Sequence, residues 1–163
     1  MIRMIFLFTL IASQLQAQSA YEQIGENEAV VFKTEFGIWT AKHVGTAFGA
    51  THVSSRLDIQ FKRTKTRNKV HFKIGDGPPV SFVTRRGKKF SISASELNDD
   101  VWSIDNFRFF AGESGSPVFN AKGEVCGIVL GNYYKGRWQG RAAKIQKFAK
   151  ALEEKSTVYG EIN

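Results

Sequence analysis

The chain has 163 residues, of which 42% are hydrophobic and 23% are charged. This composition is typical of a folded protein and excludes a wholly disordered chain, and the length suits one domain or two small barrels that share an interface. Lysine and arginine outnumber aspartate and glutamate by 23 to 15, which gives a formal net charge of +8. A basic balance favours an acidic partner, but it does not choose among nucleic acid, anionic lipid and acidic peptide.

The first segment has the layout of a secretory signal peptide. Arg3 supplies a positive charge, residues 5–12 form a short apolar run, and small residues follow at Ala17 and Ala20. We therefore predict that residues 1–19 are a signal peptide and that the mature chain is secreted or periplasmic. The apolar run is too short to span a bilayer comfortably, so we expect no stable membrane insertion after cleavage.

Cys126 is the only cysteine, which rules out an intrachain disulfide. An exported domain of this kind must be stabilised by its core alone. Cys126 lies inside the apolar run Val125–Leu130, a setting that favours a small buried side chain over a nucleophile. The histidines and the cysteine show no metal-ligand spacing, and we predict neither a metal nor a cofactor.

Hydrophobic alternation and glycine turns predict an all-β fold. Strands are expected at residues 29–34, 38–41, 51–61, 70–74, 80–83, 90–93 and 127–130, with a polar loop at 132–140. The cluster Gly75–Pro79 is the strongest turn signal and marks a boundary between two halves. Only residues 144–154 have helical spacing, with apolar side chains at i, i+3, i+4 and i+7.

The segment Gly112–Pro117 (Gly-Glu-Ser-Gly-Ser-Pro) places a serine in a glycine-flanked turn. Gly112 lets the backbone fold so tightly that its own N–H and that of Ser114 can point into one small space. Two such donors form an oxyanion hole, which stabilises the charge of a tetrahedral acyl intermediate. A serine alone is a poor nucleophile, so this interpretation requires a histidine base and a carboxylate elsewhere.

Of the three histidines, His43 is the candidate base. It ends an apolar strand where a loop begins, in the specific context Thr-Ala-Lys-His at residues 40–43. His52 and His71 lie in strand-like stretches beside polar neighbours, where a surface position is the simpler interpretation.

Residues 40–43 and Gly112–Pro117 resemble, in that order, the two sequence signatures of the trypsin/chymotrypsin-like serine proteases. Between them, Leu57–Phe61 resembles the strand on which that family carries its acidic residue, which is Asp58 in this chain. The serine segment is also similar to those of bacterial glutamyl endopeptidases and of viral relatives such as alphavirus capsid proteases. The resemblance covers most of the chain, from about residue 30 to residue 152.

The resemblance implies two antiparallel six-stranded β-barrels and a C-terminal α-helix, in a protease domain spanning residues 20–163. The first barrel would occupy about residues 29–75 and the second about residues 80–143. The helix would follow at about residues 144–154. The active site would lie in the cleft between the barrels.

Carried over to this chain, the resemblance makes Ser114 the nucleophile, His43 the general base and Asp58 the residue that orients the histidine. The N–H groups of Gly112 and Ser114 would form the oxyanion hole. Asp58 follows His43 by 15 positions, an interval that is short for this family, and Asp76 is therefore the alternative acid. The Gly-Asp-Gly-Pro-Pro setting of Asp76 is more typical of a turn residue.

By position in the family, Arg108 lies at the base of the pocket for the substrate residue that precedes the cleaved bond. A guanidinium there could select aspartate or glutamate. Val129 stands where glutamyl endopeptidases carry a histidine, so a solvent-exposed Arg108 is the alternative. The other substrate-binding candidates are the strand edge Leu130, Gly131 and Asn132, which would pair with the substrate backbone, and Gly140, which would keep the pocket wall open.

We therefore predict a secreted serine endopeptidase that acts on protein or peptide substrates as a monomer. The alternative is an inactive protease-like fold that binds nucleic acid or anionic surfaces through the basic tracts Lys62–Lys69 and Arg85–Lys89. Aromatic residues do not interleave with these tracts, so solvated hairpin tips are the simpler interpretation. All three residue types of a catalytic triad are present, which favours the enzyme and makes nucleic acid the less expected partner.

Overall fold

The computed structural model describes residues 21–23, 30–45, 49–65, 69, 71–84, 87–134, 138–154 and 160–162. The predicted signal peptide, residues 1–19, lies outside the described residues. The described residues form two β-sheets and an α-helix.

The first sheet contains five strands from the beginning of the chain and one from its end. They are β1 (Tyr21–Gln23), β2 (Val30–Thr34), β3 (Gly37–Ala41), β4 (His52–Ser54), β5 (Ile59–Arg63) and β13 (Gly160–Glu161), in the spatial order β1-β2-β3-β5-β4-β13. Neighbouring strands are antiparallel except β4 and β13, which are parallel. A short 3₁₀ turn, Lys42–Val44, follows β3.

The second sheet contains seven antiparallel strands from the middle of the chain. They are β6 (Ser81–Val83), β7 (Lys89–Ser91), β8 (Ser93–Asn98), β9 (Val101–Asp105), β10 (Pro117–Phe119), β11 (Val125–Tyr134) and β12 (Trp138–Lys144), in the order β7-β6-β10-β11-β12-β9-β8. The two outermost strands, β7 and β8, are separated in the chain by Ile92 alone. The two edges of the sheet therefore meet at Ile92, and the sheet curls into a barrel.

The connection between the two sheets is hydrogen-bonded to both of them. The N–H of Phe72 donates to the Lys33 carbonyl of β2 at 2.9 Å. On the other side, the N–H of Val125 in β11 donates to the Lys73 carbonyl at 2.8 Å, and the N–H of Gly75 donates to the Val125 carbonyl at 3.0 Å. These bonds fix the position of one sheet relative to the other.

Buried apolar side chains form two cores. The larger core joins the first sheet to β11, β12 and helix α1 (Gln146–Glu154), and its members are Phe32, Trp39, Leu57, Ile59, Phe61, Phe119, Val125, Ile128, Ala143, Ile145, Phe148, Leu152 and Ile162. Within it, the ring of Trp39 lies 4.7 Å from that of Phe61 and 5.3 Å from that of Phe148. The smaller core belongs to the second sheet and contains Phe82, Ile104, Phe109, Val118, Cys126, Val129 and Ala142.

The predicted fold class is confirmed, because the described residues form two largely antiparallel sheets followed by a C-terminal helix. The second sheet has seven strands rather than the predicted six. The helix buries Phe148 and Leu152, as its apolar spacing predicts. It begins at Gln146 rather than at residue 144, because Lys144 still pairs with Gly127 in the second sheet. No helix among the described residues is long and apolar enough to cross a membrane.

Three predicted strand or loop assignments are wrong. In residues 71–74, the described part of the strand expected at 70–74, only isolated bridges form, at Phe72 and Ile74. Residues 51–61 do not form one strand, because a turn at residues 55–58 divides them into the β4–β5 hairpin. The expected polar loop at 132–140 is mostly strand, since β11 continues to Tyr134 and β12 begins at Trp138. Polar and glycine-rich sequence is compatible with a hairpin when neighbouring strands supply the packing.

Candidate active site

His43 lies in the 3₁₀ turn at the end of β3. Trp39, Thr40 and Ala41 at the end of β3 are buried, so the core holds this end of the strand. His43 therefore has a fixed position at the surface of the first sheet. The side chain of His43 keeps 44% of its surface exposed. It is therefore open to a reacting partner while its backbone is held by the core.

Asp58 lies at the end of the turn between β4 and β5, in a left-handed backbone conformation with φ 57°. Strand β5 pairs with β3, and Ala41 stands opposite Ile59. The N–H of Lys42 consequently donates to the Asp58 carbonyl at 2.8 Å. Because the acid is carried on a hairpin turn beside the end of β3, an interval of 15 residues is enough to bring it to His43.

The Asp58 carboxylate contacts His43 twice. Its Oδ1 accepts a hydrogen bond from the His43 backbone N–H at 3.0 Å, and its Oδ2 lies 2.5 Å from Nδ1 of the ring. On the opposite side of the ring, Nε2 lies 2.9 Å from Oγ of Ser114. The structure thus brings the three side chains into one hydrogen-bonded series of carboxylate, imidazole and hydroxyl.

Four effects act on the protonation of His43, and two of them, a hydrogen bond and the attraction of a negative charge, come from Asp58. The hydrogen bond to Asp58 is the largest, and it raises the pKa of His43 above its ordinary value of 6.5. Partial burial and the positive charge of Arg141 lower the pKa, without cancelling the effect of Asp58. The net result is an imidazole that holds a proton more strongly than a free histidine does.

Ser114 lies in the turn before β10, and strand β2 supports this turn from behind. The N–H of Val30 donates to the Ser114 carbonyl at 3.0 Å, and the hydroxyl of Thr40 donates to the Val30 carbonyl at 2.8 Å. Gly115 has φ 91°, and a Cβ atom there would lie 2.1 Å from the Val30 carbonyl oxygen. Only glycine fits at this position, so the backbone of the turn is locked against the first sheet.

The backbone N–H groups of the serine turn differ in whether they have acceptors. Gly112 has φ 88°, and the N–H of Glu113 donates to the Phe110 carbonyl at 3.2 Å. By contrast, the N–H groups of Gly112 and Ser114 donate to no group in the described part of the chain. Backbone donors without protein acceptors are uncommon, and these two are the pair predicted for the oxyanion hole.

The expectation that Gly140 keeps a pocket wall open is wrong. A Cβ atom at Gly140 would lie 2.8 Å from the ring of Phe109 and 3.0 Å from the Phe107 carbonyl oxygen. The space beside Gly140 is therefore filled by the segment before the serine turn.

Arg108 lies between Phe107 and Phe109 in the chain. The two phenylalanines pack towards the smaller core, whereas the side chain of Arg108 is exposed. The structure favours the solvent-exposed alternative for Arg108 over a place at the base of a pocket.

The predicted substrate-binding edge lies on β11. Strand β10 pairs with β11 as far as Ile128, and the serine turn before β10 still hydrogen-bonds to Val129. From Leu130 onwards, β12 is the one paired neighbour of β11 among the described strands. The side chain of Asn132 is engaged elsewhere, since it accepts from the Phe109 N–H at 2.9 Å and donates to the Phe109 carbonyl at 2.8 Å. Leu130 packs against the larger core. The backbone N–H and C=O groups of Gly131 and Asn132 are therefore the groups on this edge with which a peptide could pair.

Sequence reasoning did not identify Arg141, which lies on β12 directly opposite Gly131. The positive charge of Arg141 lowers the pKa of His43. No motif marks this arginine. Only the register of the β11–β12 pair could have assigned it to the site.

The alternative acid and the other histidines lie away from this series. The backbone carbonyl of Asp76 accepts a hydrogen bond from Asn120 at 2.8 Å, in keeping with a turn residue, and it is Asp58 that contacts the His43 ring. His52 is only 2% exposed and lies 2.9 Å from the Thr51 hydroxyl, so the expected surface position is wrong for it. Its neighbours in the β3–β5 sheet bury it.

The basic tracts Lys62–Lys69 and Arg85–Lys89 lie partly outside the described residues. In the described part of the second tract, the ammonium of Lys88 lies 4.8 Å from the centre of the Phe90 ring. No group of three or more histidine, cysteine, aspartate or glutamate side chains among the described residues could hold a metal ion.

Comparison with known proteins gives structural likenesses only. No family model and no curated protein matches the sequence. The serine endoprotease of Yersinia pestis matches 86% of this chain over 65% of its own, with a TM-score of 0.60 and 13% identity. The serine protease of a human pathogenic astrovirus matches 77% of this chain over 88% of its own, with a TM-score of 0.59 and 17% identity.

A third likeness is to a smaller viral enzyme. The 2A protease of human rhinovirus C15 matches 72% of this chain over 96% of its own, with a TM-score of 0.55 and 10% identity. These structural neighbours are chymotrypsin-like proteases, with viral members among them. At such low identity the likeness establishes the fold: the chain has the chymotrypsin-like two-barrel architecture that its sequence signatures imply.

Proposed function

We propose that the protein is a serine endopeptidase that cleaves peptide bonds through an acyl-enzyme intermediate on Ser114. The observation that carries the proposal is the series from Asp58 Oδ2 to His43 Nδ1 at 2.5 Å and from His43 Nε2 to Ser114 Oγ at 2.9 Å. Distances of this kind allow a serine proton to move to the imidazole while the carboxylate stabilises the charged ring. The likeness to protease structures supports the same reaction class.

The proposed reaction has two halves. Oγ of Ser114 attacks the peptide carbonyl carbon as its proton passes to Nε2 of His43, and the N–H groups of Gly112 and Ser114 stabilise the oxyanion. The intermediate then expels the amine, which takes the proton from His43, and leaves an ester on Ser114. Water next attacks the ester, with His43 first accepting and then returning a proton, and this releases the acid and restores the serine.

Fluorophosphonate labelling tests this proposal. Purified protein lacking residues 1–19 should react covalently at Ser114, because the probe requires an activated serine hydroxyl. Ser114→Ala should abolish labelling, and His43→Ala should slow it by at least about a thousandfold since the base is removed. Melting curves of the variants provide the folding control. Labelling that persists in Ser114→Ala would refute the assignment of the nucleophile.

We further propose that the protein is exported after cleavage near Ala17–Ala20. The basic start, the apolar run and the small residues support this proposal. Cleavage before Tyr21 would retain β1, which pairs with β2 behind the serine turn. N-terminal sequencing of the protein recovered outside the cytoplasm would test it, and an intact N-terminus there would oppose it.

A further inference from the structure

Arg141 occupies the face of the second sheet that carries the serine hydroxyl. It stands directly opposite Gly131 in the β11–β12 pair, and residues directly opposite in an antiparallel pair project to the same face. That face is identified by Gly131, because a Cβ atom built there would lie 3.9 Å from Oγ of Ser114. The side chain of Arg141 therefore starts one strand away from the nucleophile and on the same side of the sheet.

The two residues directly opposite Arg141 on this face are small. Gly131 has no side chain, and the residue opposite Arg141 on its other side is Ser103 in β9. Arg141 itself is half-buried, so its long side chain is held by the protein without being enclosed. In this position the positive charge of Arg141 is close enough to His43 to lower the pKa of the imidazole.

The open edge of β11 determines which substrate residue would contact Arg141. A peptide that adds to this edge as an antiparallel strand would place the residue opposite Gly131 on the same face as Arg141. A guanidinium has five N–H donors, enough to bind a substrate carboxylate bidentately alongside contacts within the protein. Arg108, the other arginine near the site, is exposed beyond Phe107 and Phe109 and has no such relation to the edge.

We propose that Arg141 is a specificity-determining residue that selects an aspartate or glutamate side chain on the N-terminal side of the cleaved bond. This inference rests on the proposed endopeptidase function and names its substrate class. The substrate backbone pairs with β11 at Gly131, and the acidic side chain of the residue opposite Gly131 contacts the Arg141 guanidinium. The charge attraction is strongest at low ionic strength, because salt screens partly exposed charges.

A positional-scanning peptide library tests the proposal on the wild type, Arg141→Gln and the matched control Arg108→Gln. For the wild type, peptides with Asp or Glu at a single position on the N-terminal side of the scissile bond should be better substrates than the same peptides with Asn or Gln there. The difference in kcat/KM should be on the order of 10- to 100-fold. Arg141→Gln should lose this preference, and Arg108→Gln should keep it. Arg141→Glu should favour Lys or Arg at the same position.

Fluorophosphonate labelling of each variant separates the possible failures. If Arg141→Gln is still labelled, at whatever rate, and keeps the acidic preference, the inference is overturned while the proposed function stands. The inference is also overturned, and the proposed function stands, if the wild type is labelled and cleaves peptides without a preference for Asp or Glu before the scissile bond. A wild type that is neither labelled nor able to cleave overturns the proposed function itself. If Arg141→Gln does not fold, Arg141→Lys is the test variant. Its ammonium lacks the planar fork of a guanidinium, so the preference for Asp and Glu should decrease. An unchanged ratio of kcat/KM between the acidic and the amide peptides would overturn the inference.

Discussion

Asp58 makes both of its carboxylate contacts to one residue, the backbone N–H and the ring Nδ1 of His43. The bond from the backbone N–H holds the carboxylate in place, so the bond of the carboxylate to Nδ1 orients the imidazole with Nε2 towards Ser114. The tautomer is fixed at the same time, because a carboxylate at Nδ1 favours the proton there and leaves Nε2 as the acceptor. In the proposed reaction, Asp58 would therefore orient His43 before any substrate binds.

The raised pKa of His43 predicts the pH dependence of the reaction. Only the neutral imidazole can accept the Ser114 proton, so the rate of fluorophosphonate labelling should fall as the pH decreases through the pKa of His43. Because Asp58 raises this pKa, the midpoint should lie above 6.5 in the wild type. Asp58→Asn should move the midpoint to lower pH, and Arg141→Gln should move it to higher pH, since Arg141 lowers the pKa.

The opposite directions of the two shifts provide the control. A general loss of folding would reduce the labelling rate at every pH without moving the midpoint. Midpoints that coincide in the wild type, Asp58→Asn and Arg141→Gln would contradict the electrostatic description of His43.

The residues of the site differ in how far sequence could identify them. His43 and Ser114 stand in short motifs whose spacing reflects local backbone requirements, so sequence can point to them. Asp58 is harder to identify, because its place depends on the β3–β5 register and on a turn at residues 55–58 that contains no glycine or proline. Arg141 depends on the pairing of two distant strand positions, which a single sequence does not reveal.

At the scale of elements, strand β2 supports the turn that carries Ser114, the proposed nucleophile. Its first residue, Val30, bonds to the Ser114 carbonyl and to the Thr40 hydroxyl, so the two sheets meet directly behind the serine. The conformation of the serine turn is therefore set by the first sheet as well as by its own glycines. This arrangement makes the position of the nucleophile dependent on correct docking of the two halves.

Gly115→Ala tests this support. The added Cβ atom would lie 2.1 Å from the Val30 carbonyl oxygen and 2.4 Å from the Thr40 hydroxyl, in a residue with φ 91°. We expect the free energy of unfolding to decrease by about 2 to 5 kcal/mol, from left-handed strain and overpacking together, with loss of fluorophosphonate labelling. Urea denaturation followed by fluorescence provides the measurement.

Gly123→Ala is the matched control for that substitution. Gly123 also has a positive φ, 76°, but nothing lies within 4 Å of its added Cβ atom. It should cost only the backbone strain, about 1 to 2 kcal/mol, and leave labelling intact. Equal destabilisation in the two variants would show that contact with β2 contributes nothing to the turn.

At the scale of the whole molecule, the chain places its site where two sheets meet. His43 and Asp58 come from the first sheet and Ser114 from the second, and the connection at residues 72–75 hydrogen-bonds to both. The all-β class, the single late helix and the two halves follow from alternation, helical spacing and the turn at Gly75–Pro79. The filled space beside Gly140 could not be foreseen, because it depends on how Phe109 packs from another segment.

The most direct test of the central claim is kcat/KM for peptide hydrolysis by the wild type and three variants. Ser114→Ala should lose about a millionfold and Asp58→Asn about ten thousandfold, because a triad acts as a unit and the amide favours the wrong histidine tautomer. Asp76→Asn, the matched control, should stay within about twofold of the wild type, since Asp76 does not contact His43. Hydrolysis that survives in Asp58→Asn and collapses in Asp76→Asn, or that is undiminished in Ser114→Ala, would contradict the account.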